Sequence, residues 1–183
     1  MKEKWKISMQ CENNASIDDL KYIFNQAEKR LESTIKNSDN ISTKTYTLLT
    51  ALLAIITALC AYFISNWKSF DSIDNKQALA VLTILYAIMT AFSILKNVLP
   101  VSYHPMGTMP KDIFVEELFS NDANGQRIKN LYLTEIESYN DRIKVNWSIN
   151  DRRWKRYTRA VKALFCMPFI LTILFLILEK INP

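Results

Sequence analysis

Three runs without a charged residue, at positions 45–67, 77–95 and 163–178, decide most of what this chain can become. At about 1.5 Å of rise per residue, a helix over the first run exceeds the roughly 30 Å of bilayer hydrocarbon, and one over the second nearly matches it. The third gives only about 24 Å at the same rise. It spans if Lys162 snorkels and the bilayer thins slightly; otherwise it is a re-entrant or swapped hydrophobic helix. Only Gly107 and Gly125 offer glycine turns, which sets aside hairpin-rich β folds and glycine-loop nucleotide sites. The expected fold is an all-α membrane protein, with three transmembrane helices and long, coiled-coil-like cytoplasmic helical extensions.

The runs divide the chain into a cytoplasmic N-terminal helical region (1–44), two spans with a short external loop (45–98), a cytoplasmic helical region (99–162), and a last span with an external C-terminus (163–183). Trp5, Ile7 and Met9 alternate with polar residues, as in a short strand or an interfacial segment. Ser16 then reads as an N-cap, with Asp18 and Asp19 in the first turn where negative charge suits the helix dipole. Leu20, Phe24, Ala27, Leu31 and Ile35 follow at spacings of three and four, an apolar stripe that requires a partner. No proline or glycine lies between Ser16 and Trp67, so one helix can continue into the first span, ending near Trp67.

Pro100, Pro105, Gly107 and Pro110 predict a turn-rich passage after Lys96. Pro110 suits the first position of a short amphipathic helix carrying Ile113, Phe114, Leu118 and Phe119, closed by a loop over 120–125. A long helical pattern begins at Gln126, with Ile136, Tyr139, Ile143, Trp147, Trp154, Tyr157 and Val161 along one stripe and Asn150 within it. A polar amide in such a stripe sets register and oligomer state in coiled coils. Its partner is the stripe over 20–35, within one chain or between copies. Pro168 introduces a kink one turn inside the last span.

Lysines and arginines number eight in 1–45, two in 67–76, eleven in 97–162 and one after 178. By the positive-inside rule, the N-terminus and the segment before the last span are cytoplasmic, in a membrane crossed several times. That topology accounts for the net charge of +5 without nucleic acid, and no duplex DNA binding is expected.

The basic collar Arg152, Arg153, Lys155, Arg156, Arg159 and Lys162 is either a headgroup anchor or, repeated around an oligomer, a site for an anionic ligand. Two seams of small or hydroxyl residues run along the spans: Thr43, Thr47, Thr50, Ala54, Thr57 and Ala61 in the first, and Thr83, Tyr86, Thr90, Ser93 and Asn97 in the second. They read as helix packing or as a hydroxyl-lined pore. Ile136, Tyr139, Ile143, Trp147, Asn150 and Trp154 form the candidate oligomer seam.

No chemistry of an enzyme emerges. His104 is the single histidine, Cys11, Cys60 and Cys166 have no paired spacing, and Asp18–Asp19 and Glu116–Glu117 read as helix-start charges and a solvated face. Neither a catalytic centre, a cofactor nor a metal is expected. The sequons at Asn40 and Asn146 fall on the predicted cytoplasmic side and stay unmodified.

The layout, with its segment Pro105-Met106-Gly107-Thr108-Met109-Pro110, its helix through Glu135-Ile136-Glu137-Ser138-Tyr139-Asn140-Asp141-Arg142-Ile143, and Asn146, Asn150, Arg152 and Arg153 before the last span, resembles small multi-span membrane effectors of bacterial antiphage defence. The resemblance implies a homo-oligomer kept quiet by an operon-encoded partner, or awaiting a nucleotide or oligonucleotide signal, that opens and depolarises the inner membrane. The alternative is a non-conducting anchor whose cytoplasmic coiled coil recruits a soluble partner.

Overall fold

The computed structural model describes residues 6–66, 74–108 and 126–181. Trp5, Trp67, the connector up to residue 73, the amphipathic piece over 110–119 with Glu116–Glu117, and the loop over 120–125 lie outside the described residues. Among the described residues every regular element is helical: α1 (Met9–Asn14), α2 (Ile17–Ser65), α3 (Asn75–Leu95) and α4 (Gln126–Ile181). The alternating N-terminal segment gives no strand there; Ser8 caps α1 by accepting from the Cys11 amide at 3.3 Å.

Helix α2 starts where the sequence places its cap. Ser16 Oγ accepts from the Asp19 amide at 3.1 Å, and Asp19 Oδ2 accepts in return from the Ser16 amide at 3.0 Å and hydroxyl at 2.7 Å. This reciprocal box satisfies amides that the first turn otherwise leaves open. These bonds also hold the Asp19 carboxyl below its usual value, the Ser16 hydroxyl contributing most. Helix α3 opens on a second box, Asp74 with Gln77, and the buried Gln77 also donates to the Asn66 carbonyl at 2.6 Å. Helix α4 runs through the predicted polar, basic and apolar stretches without a break, Pro168 included. Three helices, α2, α3 and α4, carry windows long and apolar enough to cross a membrane.

The chain forms two compact units, one from Met1–Asp39 with Val101–Asp151 and one from Asn40–Pro100 with Arg152–Pro183. Both long helices contribute to both. In the first, Leu20, Leu133 and Ile136 form the core, with Ile7, Ala15, Phe24 and Tyr132 against it. Phe24 meets Tyr132 and Tyr139 edge to face, at centroid separations of 5.6 and 5.3 Å, the geometry that ring quadrupoles favour. The stripe over 20–35 therefore finds a partner within its own chain.

The core of the second unit is Leu52, Ala87, Ile94 and Ala160, with Ala91 and Leu164 beside them. Alanines at the contact suit helices in lipid, where close backbone approach replaces the hydrophobic drive. Contacts within this unit fix its register. Asn97 Nδ2 donates to the Arg153 carbonyl at 2.9 Å, and ten residues further along α4 the Ala163 carbonyl accepts from the Tyr86 hydroxyl at 2.8 Å. On α2, Ser42 meets Arg153, and Leu52 shares the core with Ala160. Helices α2 and α4 thus run in the same direction and α3 runs against them.

Candidate functional site

Polar residues occupy the seam between α2 and α4. On α4, 3-4 spacing from Ile136 leads through Tyr139, Ile143, Asn146, Asn150, Arg153, Tyr157, Ala160, Leu164 and Met167. Of these, Ile136, Tyr139, Asn146, Asn150, Arg153, Ala160 and Met167 are buried. Trp147 and Trp154 stand outside that set, 55% and 43% exposed. The inward positions belong to Asn146 and Arg153, because alternating steps of three and four keep a seam on one face and the steps to the tryptophans do not. Each tryptophan instead lies beneath a cation from α2, Arg30 over Trp147 at 5.0 Å and Lys44 over Trp154 at 5.1 Å. On α2 the same rhythm buries Leu31, Thr34, Ser38, Ile41, Thr45 and Leu52.

In the first unit the polar seam holds an extended strap, residues 101–108. Asn150 Nδ2 donates to the Thr34 carbonyl at 2.7 Å while its Oδ1 accepts from the Tyr103 hydroxyl at 2.9 Å. One turn earlier, Asn146 accepts from the His104 amide at 3.0 Å and donates to the His104 carbonyl at 3.1 Å, filling both polar groups of that residue's backbone. Arg142 donates to the Pro105 and Gly107 carbonyls and to the Thr108 hydroxyl. Tyr139 accepts from the Gly107 amide at 3.3 Å, and Glu135 accepts from the Thr108 hydroxyl at 2.8 Å. The strap thus descends α4 as its residue numbers rise. Gly107 has φ +76, the left-handed region that favours glycine, at the bend where the strap meets Tyr139 and Arg142. Burial raises the Tyr139 hydroxyl pKa above its usual value, an effect opposed by the hydrogen bond from Gly107.

Two recesses flank the strap. One of about 490 Å³ is lined chiefly by Phe24, Ile128, Leu131, Tyr132 and Tyr139; the other, of about 510 Å³, gathers Lys6, His104, Glu137, Asp141 and Arg142. Among the described residues no cluster of histidine, cysteine and carboxylate groups has the arrangement of a metal site.

In the second unit the basic collar divides. Arg153 is 4% exposed, and its guanidinium donates to Ser42 Oγ at 2.8 Å and to the Asn97 carbonyl at 2.6 Å. Arg152, Lys155, Arg159 and Lys162 are exposed and Arg156 is half-buried. The hydroxyl seams also divide. Thr83 and Thr90 are buried while Thr43, Thr47, Thr50, Ala54, Thr57 and Ala61 are exposed, and Ser93 is exposed as well. Thr47, Thr50, Thr57, Thr83 and Thr90 donate to the carbonyl four residues back, and Ser93 to the one three back. Their protons are satisfied inside their own helices, as apolar surroundings require.

No family model, curated protein or solved structure matches the chain.

Proposed function

We propose that the chain is an oligomeric effector of the bacterial inner membrane, with its N-terminus cytoplasmic, acting in antiviral defence. A cytoplasmic signal or partner acts on the strap-bearing unit, and the spans respond by forming or opening an ion-conducting path that depolarises the cell. The observation carrying this reading is the polar seam. A plain anchor is served as well or better by apolar residues at Thr34, Thr45, Asn146, Asn150 and Arg153, since buried polar groups in a helix seam cost stability and contribute register. Helices keyed by discrete hydrogen bonds have discrete alternative registers, the property a switch uses. Helices α2 and α4 carry such keys both beside the strap and beside α3.

The test follows membrane potential with a voltage-sensitive dye in bacteria carrying the gene with its genomic neighbours, before and during phage infection. Depolarisation that needs this chain supports the reading; a potential unchanged during successful defence sinks it.

A second reading, the non-conducting anchor, draws on the back-bonded hydroxyls, which use their protons for helix packing. Replacement of Thr83, Thr90 and Ser93 by large apolar residues with defence retained, and its loss on deleting the stripe over 20–35, favours the anchor.

A further inference from the structure

We infer that Arg156, Arg159 and Lys162 line a water-filled, cation-walled vestibule, which makes the conduction path selective for small inorganic anions such as chloride. This rests on the conducting reading above.

Helix α3 has a charge-free run of 19 residues, 77–95, about 28 Å of helix and so only just the thickness of hydrocarbon. With Lys76 at one end and Lys96 at the other, the run has no slack along the membrane normal. Tyr86 stands at its centre and gives its hydroxyl to the Ala163 carbonyl. Ala163 therefore lies near mid-membrane, while Arg153, paired with Asn97, lies near one boundary. Helix α2 agrees, because its charge-free run starts at Thr45, three residues past the Ser42 that meets Arg153.

Between those two levels α4 carries Lys155, Arg156, Arg159 and Lys162 alongside apolar halves of α2 and α3. Lys162, nine residues past Arg153, sits about 13 Å inward along the axis, further than a lysine side chain extends. Snorkelling alone does not bring its ammonium out to the boundary. Arg159 and Lys162 are exposed on the single chain, and among the described residues no carboxylate pairs with Arg156, Arg159 or Lys162. Cations at this depth facing lipid are costly, by at least about 2.5 kcal/mol each near the centre of a span. Water between copies removes that cost, and a wall of fixed positive charge then concentrates anions and repels cations.

The experiment uses the full chain with Cys11, Cys60 and Cys166 replaced by alanine, reconstituted in phosphatidylcholine vesicles. Lys162→Cys and Arg159→Cys are exposed in turn to an anionic and a cationic methanethiosulfonate reagent, with Met89→Cys, an exposed apolar position of α3, as the reference. The expected result is modification of Lys162→Cys at least tenfold faster than of Met89→Cys, with the anionic reagent favoured severalfold. Reaction as slow as at Met89→Cys, or without preference for the anionic reagent, overturns the proposal. So does protection that appears on adding phosphatidylglycerol, which assigns the cations to lipid phosphate. Currents across a potassium chloride gradient read the selectivity separately from water access. A reversal potential on the chloride side, moved toward potassium by Lys162→Glu, is expected, and one already on the potassium side overturns the selectivity. A Lys162 that is water-accessible by this assay, in a chain that supports defence during phage infection with the membrane potential unchanged, overturns the conducting reading and, with it, the selectivity assigned here.

Discussion

In the first unit the third partner of α4 is an extended strap, and in the second it is a helix. The strap's backbone is met by Asn146, Arg142 and Tyr139, side chains that reach across from α4. Helix α3 satisfies most of its backbone within itself and meets α4 through Asn97, just past its end, through Tyr86 and through apolar contacts. Solvent accounts for the difference if, as proposed, the first unit stands in water and the second in the membrane. A segment in water can leave some amides to water and lend others to side chains, whereas one in hydrocarbon must be a helix before it packs. Alongside the strap α4 therefore offers amides and a guanidinium, and alongside α3 it offers mainly small residues.

The largest effect that sharpens this contrast is expected from Arg153→Ala, which removes the donor to Ser42 Oγ and the Asn97 carbonyl from a buried position. A loss of about 3 kcal/mol is expected for breaking a buried charged network, read as an earlier thermal transition in detergent by circular dichroism. Asn146→Ala strips both backbone partners from His104 and is expected to cost about 2 kcal/mol, with faster hydrogen exchange at the His104 amide. Its neighbour Trp147 is the control: Trp147→Ala alters an exposed cation contact and is expected to cost about 0.5–1 kcal/mol. Equal losses at 146 and 147 would show that the strap is not held as described.

Tyr86→Phe removes one hydrogen bond within the apolar unit. Such bonds are worth about 0.6 kcal/mol in membranes, so a small shift in melting temperature is expected, and a large one would break the contrast between the units. The smallest effect concerns acid. The depressed Asp19 carboxyl stabilises the fold above its unfolded value, near 3.8, and that contribution is lost as pH falls through the lower folded value. Ser16→Ala, which removes the main cause of the shift, is expected to flatten the stability profile in that window while leaving its shape near neutrality unchanged.

The charge-free runs made the spans legible, and Ser16 with Asp19 made the start of α2 legible, because hydropathy and capping are local properties. The intrachain seam was only partly legible. Choosing stripe members by apolarity leads from Ile143 to Trp147 and Trp154, whereas steps of three, four, three lead to Asn146, Asn150 and Arg153. Period was the better guide there, since a strap needing hydrogen bonds rewards polar side chains at seam positions. The offset between the apolar runs of α3 and α4 had no local signal. It depends on which residue meets which, and Tyr86 on Ala163 is a contact 77 residues apart.

That separation is larger still for Asn150 on Thr34, at 116 residues. During synthesis Thr34 and Ser42 emerge long before their α4 partners, Asn150 and Arg153, exist. For that interval α2 and α3 stand without α4, and the seam can close only when α4 arrives. Contacts this distant are slow to form. A ribosome pausing between α3 and α4 would prolong the open interval, so the order of emergence makes α4 the element that completes both units.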